Sequence, residues 1–189
     1  LDRNTSGLII AGKSLLGLQE MARLFKHRHV DKYYLCIVKG RVERKQRIEG
    51  YLQKDTAKNM VSIRKEQADH SDYICTEYEP LGYSSANNCR GIKGNYTLLQ
   101  VKLITGRSHQ IRAHLASIGH PVLGDFKYGD QKTNLYFKSN YGLSHQLLHS
   151  YRMVFPVIEG ELAYLSGKEF KAEPPELFCK IREDMIKAQ

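Results

Sequence analysis

The carboxylate of Asp2 is the first candidate for chemistry in this chain. It heads the small polar segment at residues 1–7, which leads directly into the apolar stretch 8–10. A carboxylate has little structural use in such a place, but it is able to act as a nucleophile or a base. Because the chain does not begin with Met, we expect an N-terminally truncated protein that starts just ahead of this candidate residue.

A second polar segment, Thr105–Leu115, combines a glycine, two histidines and two arginines. On a helix, His109 and Arg112 are neighbours on one face, beside the apolar stripe of Ile111 and Leu115. An arginine next to a stripe that faces the core becomes partly buried and needs an anionic partner. That partner is either a structural carboxylate or an RNA phosphate at the start of the helix.

Two further side chains have both a chemical and a structural interpretation. Asp125 lies in the turn-rich segment 119–129, where it is either an acid or nucleophile or, as Asp beside Gly often is, a turn cap. Tyr33 and Tyr34 open a predicted strand. Adjacent strand residues face opposite ways, so only one of them is able to point into a given cleft, and the other is a half-buried sheet aromatic.

The elements that must position these residues follow from periodicity. Residues 14–29 form an amphipathic helix with Ser14 as N-cap and with Leu15, Leu18, Ala22 and Phe25 on its apolar face. Apolar and β-branched runs predict strands, and turn residues predict a loop at 82–94. The predicted strands are 32–42, 47–52, 60–64, 73–81, 96–104 and a closing pair, 146–155 with 163–170; helices are predicted at 107–119 and 175–187. This order favours an α+β fold, a mixed, largely antiparallel sheet flanked by helices, as one domain over residues 1–189.

Composition narrows the function classes. With 41% hydrophobic residues the chain is long enough for a core, and its net charge of +9 favours a polyanionic partner. The 4 cysteines lack paired spacing and are expected to be buried free thiols in a reducing cytoplasm. The 8 histidines show no metal-binding spacing. No run is apolar enough for a membrane span, and no signal peptide is visible.

Three segments together resemble the RluA-type pseudouridine synthases. Residues 1–7 are similar to that family's catalytic Asp motif, which is normally preceded by His-Arg, a pair that is absent before Leu1. Residues 32–35, with Val38 and Gly40, resemble its Lys-x-Tyr strand. Residues 106–115 with 119–125 resemble its third motif, and the likeness continues through 147–150 to about residue 156. Three ordered motifs are specific where one alone is weak.

The resemblance implies a pseudouridine synthase fold that isomerises uridine to pseudouridine in structured RNA, with no cofactor and no metal. It implies that Asp2 is the catalytic carboxylate, Tyr34 the active-site tyrosine and Arg112 the partner of the Asp. Five further residues are expected to contact RNA or support the pocket: Arg3, Thr5, Arg107, His109 and Gln110. Large-subunit ribosomal RNA is the expected substrate, transfer RNA is the alternative, and the protein is expected to be a cytoplasmic monomer.

Two other interpretations remain open at this stage. One is a basic RNA-binding module that keeps the fold without turnover; the other, with no supporting spacing, is a phosphate-handling hydrolase that uses Asp125 and histidines. If the protein binds RNA, as a synthase or as a binding module, a set of basic residues early in the chain could follow the phosphate backbone. They are Arg3, Lys26, Arg28, Lys39, Arg41, Arg44, Lys45 and Arg47.

Overall fold

A computed structural model describes residues 1–57, 59–84 and 94–188. Within them the strands are β1 (Ser6–Gly7), β2 (Asp31–Lys39), β3 (Gln46–Asp55), β4 (Met60–Arg64), β5 (Ser71–Ser84), β6 (Tyr96–Leu103), β7 (Leu148–Val154), β8 (Glu169–Lys171) and β9 (Ile186–Ala188). The helices are α1 (Leu15–Lys26), α2 (Gln110–Ser117), α3 (Gln131–Tyr141) and α4 (Glu176–Met185), with a 3₁₀ helix at Gly160–Leu165.

The strands of the described residues form one sheet in the order β1-β7-β2-β6-β5-β3-β4, with β8 paired to β7 and β9 to β5. In the part of the chain that the structure describes, only β1 and β7 run parallel, and the other neighbours are antiparallel. The predicted α+β architecture with a mixed, largely antiparallel sheet is therefore confirmed. The predicted loop 82–94 begins too early, because β5 continues through Ser84, and residues 85–93 of it lie outside the described residues.

Strand β2 at the centre of the sheet is buried on both faces, and this decides which helix meets which side chain. Leu35 and Ile37 point to the face covered by α3 and α4, in a core with Phe137 and Phe178. Alternate residues point to the other face, where α2 packs. This second core contains Tyr34, Cys36, Val38, Ile111 and Leu115. Strand alternation thus puts Tyr34 on the side of the sheet that carries α2.

The first helix forms where predicted, but of its predicted apolar face only Phe25 packs against the core, while Leu15 and Leu18 are exposed. Ser14 caps the helix, as expected, by accepting a hydrogen bond from Gly17 N–H. The buried residues are Met21 and Leu24, which pack against the end of β7 and the segment after it, whereas Leu15 is 71% exposed. Leucines lie on more than one side of this helix, so contacts with the rest of the protein determine which side is buried.

Two predictions about the second half of the chain need correction. Helix α3 was not predicted, and the proposed strand 163–170 is instead the end of the 3₁₀ helix followed by the short strand β8. Strand β8 does pair with β7, so the closing pair exists over its last residues. The terminal helix α4 is confirmed, with Pro175 at its N-cap position and Ile181 and Met185 buried.

The thiols of Cys36, Cys75 and Cys179 are free, as predicted, while Cys89 lies outside the described residues. Cys36 and Cys75 are fully buried within strands, and Cys179 is only partly buried. Among the described residues no helix is long and apolar enough to cross a membrane.

Candidate active site

The polar segment around Asp2, the Asp2 loop (residues 1–7), is held by β7 and the residues before it. Thr5 N–H closes a turn on the Asp2 carbonyl at 3.1 Å, with Asn4 at a φ of 69°. The amide of Gln146 donates to the carbonyl of Arg3 at 2.7 Å, and Ser6 Oγ lies 2.9 Å from Nδ1 of the buried His149. The backbone position of Asp2 is therefore fixed by residues more than a hundred positions away.

Gly7 lets the loop approach the sheet closely. It has a φ of 100°, and an added Cβ would overlap the carbonyl oxygen of Ser150, which accepts a hydrogen bond from Leu8 N–H at 2.9 Å. Only glycine adopts this conformation without strain while allowing such an approach. The short parallel pairing of β1 with β7 depends on this contact.

The carboxylate of Asp2 is bound by the start of α2. Its Oδ1 accepts the backbone N–H of His109 at 3.1 Å, and its Oδ2 lies 3.2 Å from Nη1 of Arg112. His109 is the N-cap residue of α2 and has a left-handed φ of 57°. A carboxylate at a helix N-terminus is stabilised by the free N–H groups there and by the helix dipole.

Arg112 joins Asp2 to a second carboxylate, that of Asp125. Nε and Nη2 of Arg112 donate to the two oxygens of Asp125 at 2.7 and 2.9 Å, a bidentate pair. The side chain of Asp125 is 0% exposed, that of Arg112 8%, and that of Asp2 17%. Burial works against the charge of Arg112, but the hydrogen bonds to Asp125 and Asp2 raise its pKa above the ordinary value.

Arg112 was expected to be partly buried and to need an anionic partner, and it has two such partners, Asp2 and Asp125. Asp125 is also the turn cap that its sequence predicted, because its Oδ1 accepts the N–H groups of Lys127 and Tyr128. The sequence did not reveal that one carboxylate does both. The only signal was the proximity of Asp125 to Arg112 in the third motif.

Tyr128 is a member of the site that sequence reasoning missed. Its ring centroid lies 5.2 Å from the guanidinium carbon of Arg112, and its hydroxyl lies 2.8 Å from Nδ1 of His109. The same hydroxyl accepts Val61 N–H at 3.0 Å. Burial lowers the pKa of His109, an effect that the nearby Asp2 charge opposes. The hydroxyl of Tyr128 thus holds the imidazole of His109 at the start of α2.

Tyr34, the third predicted catalytic residue, lies in the wall of the cavity that Asp2 also borders. It is 6% exposed, and burial raises the pKa of its phenol, a rise to which the charge of Asp2 adds. The phenol therefore stays protonated at neutral pH. Tyr33 points away from this wall, with the guanidinium of Arg152 3.9 Å from its ring centroid.

Between these groups lies an open cavity of about 360 Å³, the size of a small-ligand site. Its polar lining includes Asp2, Thr5, Lys32, Tyr34, Arg107, Ser108 and Gln110; its apolar lining includes Leu8, Ile9, Ile10, Phe25, Leu103, Ile111, Leu148 and Met153. Apolar walls around a few convergent polar groups suit a planar, neutral, hydrogen-bonding ring. Among the described residues, no group of three or more His, Cys, Asp or Glu side chains is placed to hold a metal ion.

The predicted RNA-contacting residues separate into different environments. Thr5 and Arg107 line the cavity, and Arg107 pairs with Asp72 at its exposed edge. Gln110 also borders it, but its side chain is internal, accepting from Thr105 Oγ1 and Arg107 N–H. Its amide donates to Cys75 O and Thr76 Oγ1. The side chain of Gln110 thus links the start of α2 to β5. Arg3 is exposed, and neither it nor His109 is among the residues of the cavity wall.

The early basic residues are less available than their sequence suggests. Four of them pair with carboxylates at 4.0 Å or less: Lys39 with Asp130, Arg41 with Glu43, Lys45 with Glu79, and Arg47 with both Glu49 and Glu77. Lys26 and Arg28 remain exposed at the end of α1. The number of cations is known from the sequence, but the carboxylates that the antiparallel strands place beside them are not.

Comparison with known proteins defines the class that this fold and cavity represent. The family model described as RNA pseudouridylate synthase matches residues 1–117, which include the Asp2 loop, β2 and all of α2. The chain belongs to this family, and the RluA-type resemblance of its motifs is confirmed.

Individual relatives agree with that assignment. An uncharacterized RNA pseudouridine synthase of Mycoplasma genitalium is 32% identical over 84% of this chain and 46% of its own length. The transfer-RNA pseudouridine synthase C of Haemophilus influenzae is 32% identical over 88% of this chain and 71% of its own length. The chain spans about half the length of the first curated relatives it matches.

Solved structures support the fold. Human RNA pseudouridylate synthase domain containing 1 superposes with a TM-score of 0.69 at 19% identity, over 93% of this chain and 67% of the human chain. Human RNA pseudouridylate synthase domain containing 4 gives a TM-score of 0.66 at 18% identity. The pseudouridine synthase fold expected from the motifs is thus confirmed.

Proposed function

We propose that this protein isomerises uridine to pseudouridine in structured RNA and that Asp2 is its catalytic carboxylate. The observation that carries the proposal is the position of the Asp2 carboxylate. It borders the cavity while His109 N–H and Arg112 hold its two oxygens. Residues 1–189 act as one catalytic domain in this proposal; a cytoplasmic location and a monomeric state stay predictions.

The reaction requires a uridine outside the base stack, because the bonds that change are inaccessible within a helix. The C1′–N1 bond breaks, the base turns, C5 bonds to C1′, the C5 proton leaves, and N1 gains a proton. Asp2 starts the sequence by attacking C1′ or C6 or by removing the 2′ proton; all three steps need an ionised carboxylate. Arg112 and His109 N–H favour that ionised form.

Tyr34 serves as a neutral phenol in this scheme. Because burial raises its pKa, it is poorly suited to act as a phenolate base, and we propose that it stacks on the uracil and passes on the proton from C5. The apolar residues of the cavity wall complete a site for a planar base.

Release of tritium from RNA labelled at C5 of uridine tests the proposal. The full-length protein should release tritium, and Asp2→Asn should release none while it still binds the RNA. Asp69→Asn is the matched control, since Asp69 is exposed and outside the cavity. Release by Asp2→Asn at the wild-type rate would remove Asp2 from the mechanism. No release from any cellular RNA by the wild type would remove the proposed activity.

The target RNA is the finer part of the proposal. The motif resemblance favours large-subunit ribosomal RNA, whereas relatives that cover most of this chain carry the name transfer-RNA pseudouridine synthase C. We propose transfer RNA as the first substrate to test and ribosomal RNA as the second. Separately labelled, unmodified transcripts of the two RNAs, at equal uridine concentration, distinguish them by tritium release.

A binding module without turnover is the alternative from another class. It predicts tight RNA binding with no tritium release by the full-length wild type. The buried bidentate support behind Asp2 favours the enzyme, because a binding surface has no need of an ionised, oriented carboxylate in a cavity. The same tritium assay, run beside a filter-binding measurement, decides between the two.

A further inference from the structure

One cation in the cavity wall has no function in the mechanism above. Lys32 lies two residues before Tyr34 on β2, and both side chains line the cavity that Asp2 borders. In a strand, residues two apart face the same side. The Lys32 ammonium therefore lies on the same wall as the tyrosine proposed to stack on the base.

Lys32 is a cation without a carboxylate partner in the described residues. The other cation of the cavity wall, Arg107, pairs with Asp72 at 3.1 Å. Asp31 is the acidic neighbour of Lys32 in sequence, and its Oδ2 accepts a hydrogen bond from Lys102 Nζ at 2.9 Å. Asp2 is already bound by Arg112. Every carboxylate near Lys32 thus has another cation.

The surroundings of Lys32 keep its ammonium at the cavity rather than in open solvent. Nζ lies 5.3 Å from the ring centroid of Phe25, and a Cβ added at Gly106 would be 3.6 Å from Nζ, so the ammonium lies between Phe25 and the segment that begins α2. Burial and then the charge of Arg28 lower the pKa of Lys32, and the charge of Asp31 opposes them, so the surroundings of Lys32 on balance disfavour its ammonium charge. An anion arriving from outside would compensate it.

We propose that Lys32 binds the RNA backbone phosphate next to the uridine that enters the cavity. The inference rests on the proposed function for the identity of the ligand. Uracil is neutral and brings no charge to this position, whereas every nucleotide that enters brings a phosphate on a short sugar link. A compact ammonium on a flexible stem is a common phosphate ligand in proteins. Lys32 would then hold the nucleotide by its backbone while Asp2 acts on its sugar or base.

The salt dependence of RNA binding tests this contact. Lys32→Met keeps the aliphatic stem on Phe25 and removes the charge, and Lys32→Arg keeps the charge. Lys54→Met is the matched control, since Lys54 is exposed on β3 away from the cavity. Binding is measured from low to high salt with the transcript that gives the highest tritium release, and thermal melting checks that each variant is folded.

Loss of one phosphate contact should lower the slope of log affinity against log salt by about 0.7–0.9 in Lys32→Met. Lys32→Arg and Lys54→Met should keep the wild-type slope. An unchanged slope in Lys32→Met overturns the proposal, even if its catalytic rate falls, and so does an equal loss of slope in Lys32→Arg. If the wild type releases tritium but Lys32→Met keeps the wild-type slope, only the phosphate contact of Lys32 is refuted. If the wild type releases no tritium from any RNA, the proposed function is refuted, and with it RNA as the ligand of Lys32.

Discussion

Arg112 and Asp125 form a two-point pair, with hydrogen bonds of 2.7 and 2.9 Å, while Nη1 of the same guanidinium donates to Asp2 Oδ2 at 3.2 Å. The buried pair fixes the plane of the guanidinium. The direction in which Nη1 points is therefore determined by a residue that does not border the cavity. The orientation of the candidate catalytic carboxylate depends on this buried partner.

Replacing Asp125 with Asn should reduce stability and activity together. The amide oxygen is still able to cap the turn, but the buried charge of Arg112 loses a partner, a change that costs about 3–5 kcal/mol in other buried pairs. A guanidinium that turns toward Asp2 would misplace the carboxylate and lower kcat by about 10²-fold. Urea unfolding and tritium release measure the two effects.

Asp72→Asn is the control for this prediction, because it breaks an ion pair of Arg107 that is exposed. Exposed pairs contribute little to stability, so this variant should unfold as the wild type does. If Asp125→Asn and Asp72→Asn shift the unfolding midpoint equally, the buried pair does not have the function described.

Tyr34→Phe should retain RNA binding and lose turnover. The phenyl ring keeps the stacking surface, but no hydroxyl remains to transfer the C5 proton, and such transfers contribute about 10²–10⁴-fold to rates. Tyr33→Phe is the neighbouring control on the opposite face, between Arg152 and Lys102. Single-turnover tritium release should fall in the first variant and not in the second. Equal rates in both would leave Tyr34 with a packing function only.

Gly7→Ala should detach the Asp2 loop from β7, because a Cβ there overlaps the carbonyl of Ser150. Gly160→Ala is the comparison: its φ of 79° is also positive, but no atom lies within 4 Å of the added Cβ. Both variants carry backbone strain of about 1–2 kcal/mol. Only Gly7→Ala should lose tritium release. Loss of release in both would show that strain, rather than the contact with β7, is responsible.

Stability should fall at acidic pH through His114. This histidine is 2% exposed, its Nδ1 lies 3.0 Å from Thr76 Oγ1, and burial lowers its pKa from 6.5 to about 4. A neutral buried histidine stabilises the fold fully above the unfolded value near 6.5. Between there and about 4 the unfolded chain binds the extra proton, so up to about 3 kcal/mol is lost.

Urea midpoints measured from pH 7.5 to pH 4, in steps of about half a pH unit, would show this loss. His114→Gln removes the titrating group, so its midpoints should vary less over that window than those of the wild type. If the two proteins lose stability in parallel as the pH falls, His114 is not the source.

Sequence reasoning was successful where the signal was local. The strand that carries Tyr34 and the helix that carries Arg112 were both predicted, and the alternation rule allowed only one of two adjacent tyrosines into the cleft. Arg112 was expected to need a buried anion from its place beside Ile111. Each inference uses residues within one element.

The failures have physical causes. Helix α3 has one fully buried apolar side chain, Phe137, while its Leu135 is 57% exposed, so no apolar stripe marks it in the sequence. In α1 several sides carry leucine, and tertiary contacts selected the side. The hydrogen bond of Gln146 to Arg3 spans 143 positions, and no local pattern encodes such a contact.

The parallel pairing of β1 with His149 and Ser150 has a consequence for the solubility of the protein. β1 is the outermost strand on this side of the sheet, and it covers backbone groups of β7 that an open edge would offer to the strands of other molecules. Release of the Asp2 loop would both inactivate the site and uncover an aggregation-prone edge. The same few residues therefore hold the candidate catalytic carboxylate and cover the edge of β7.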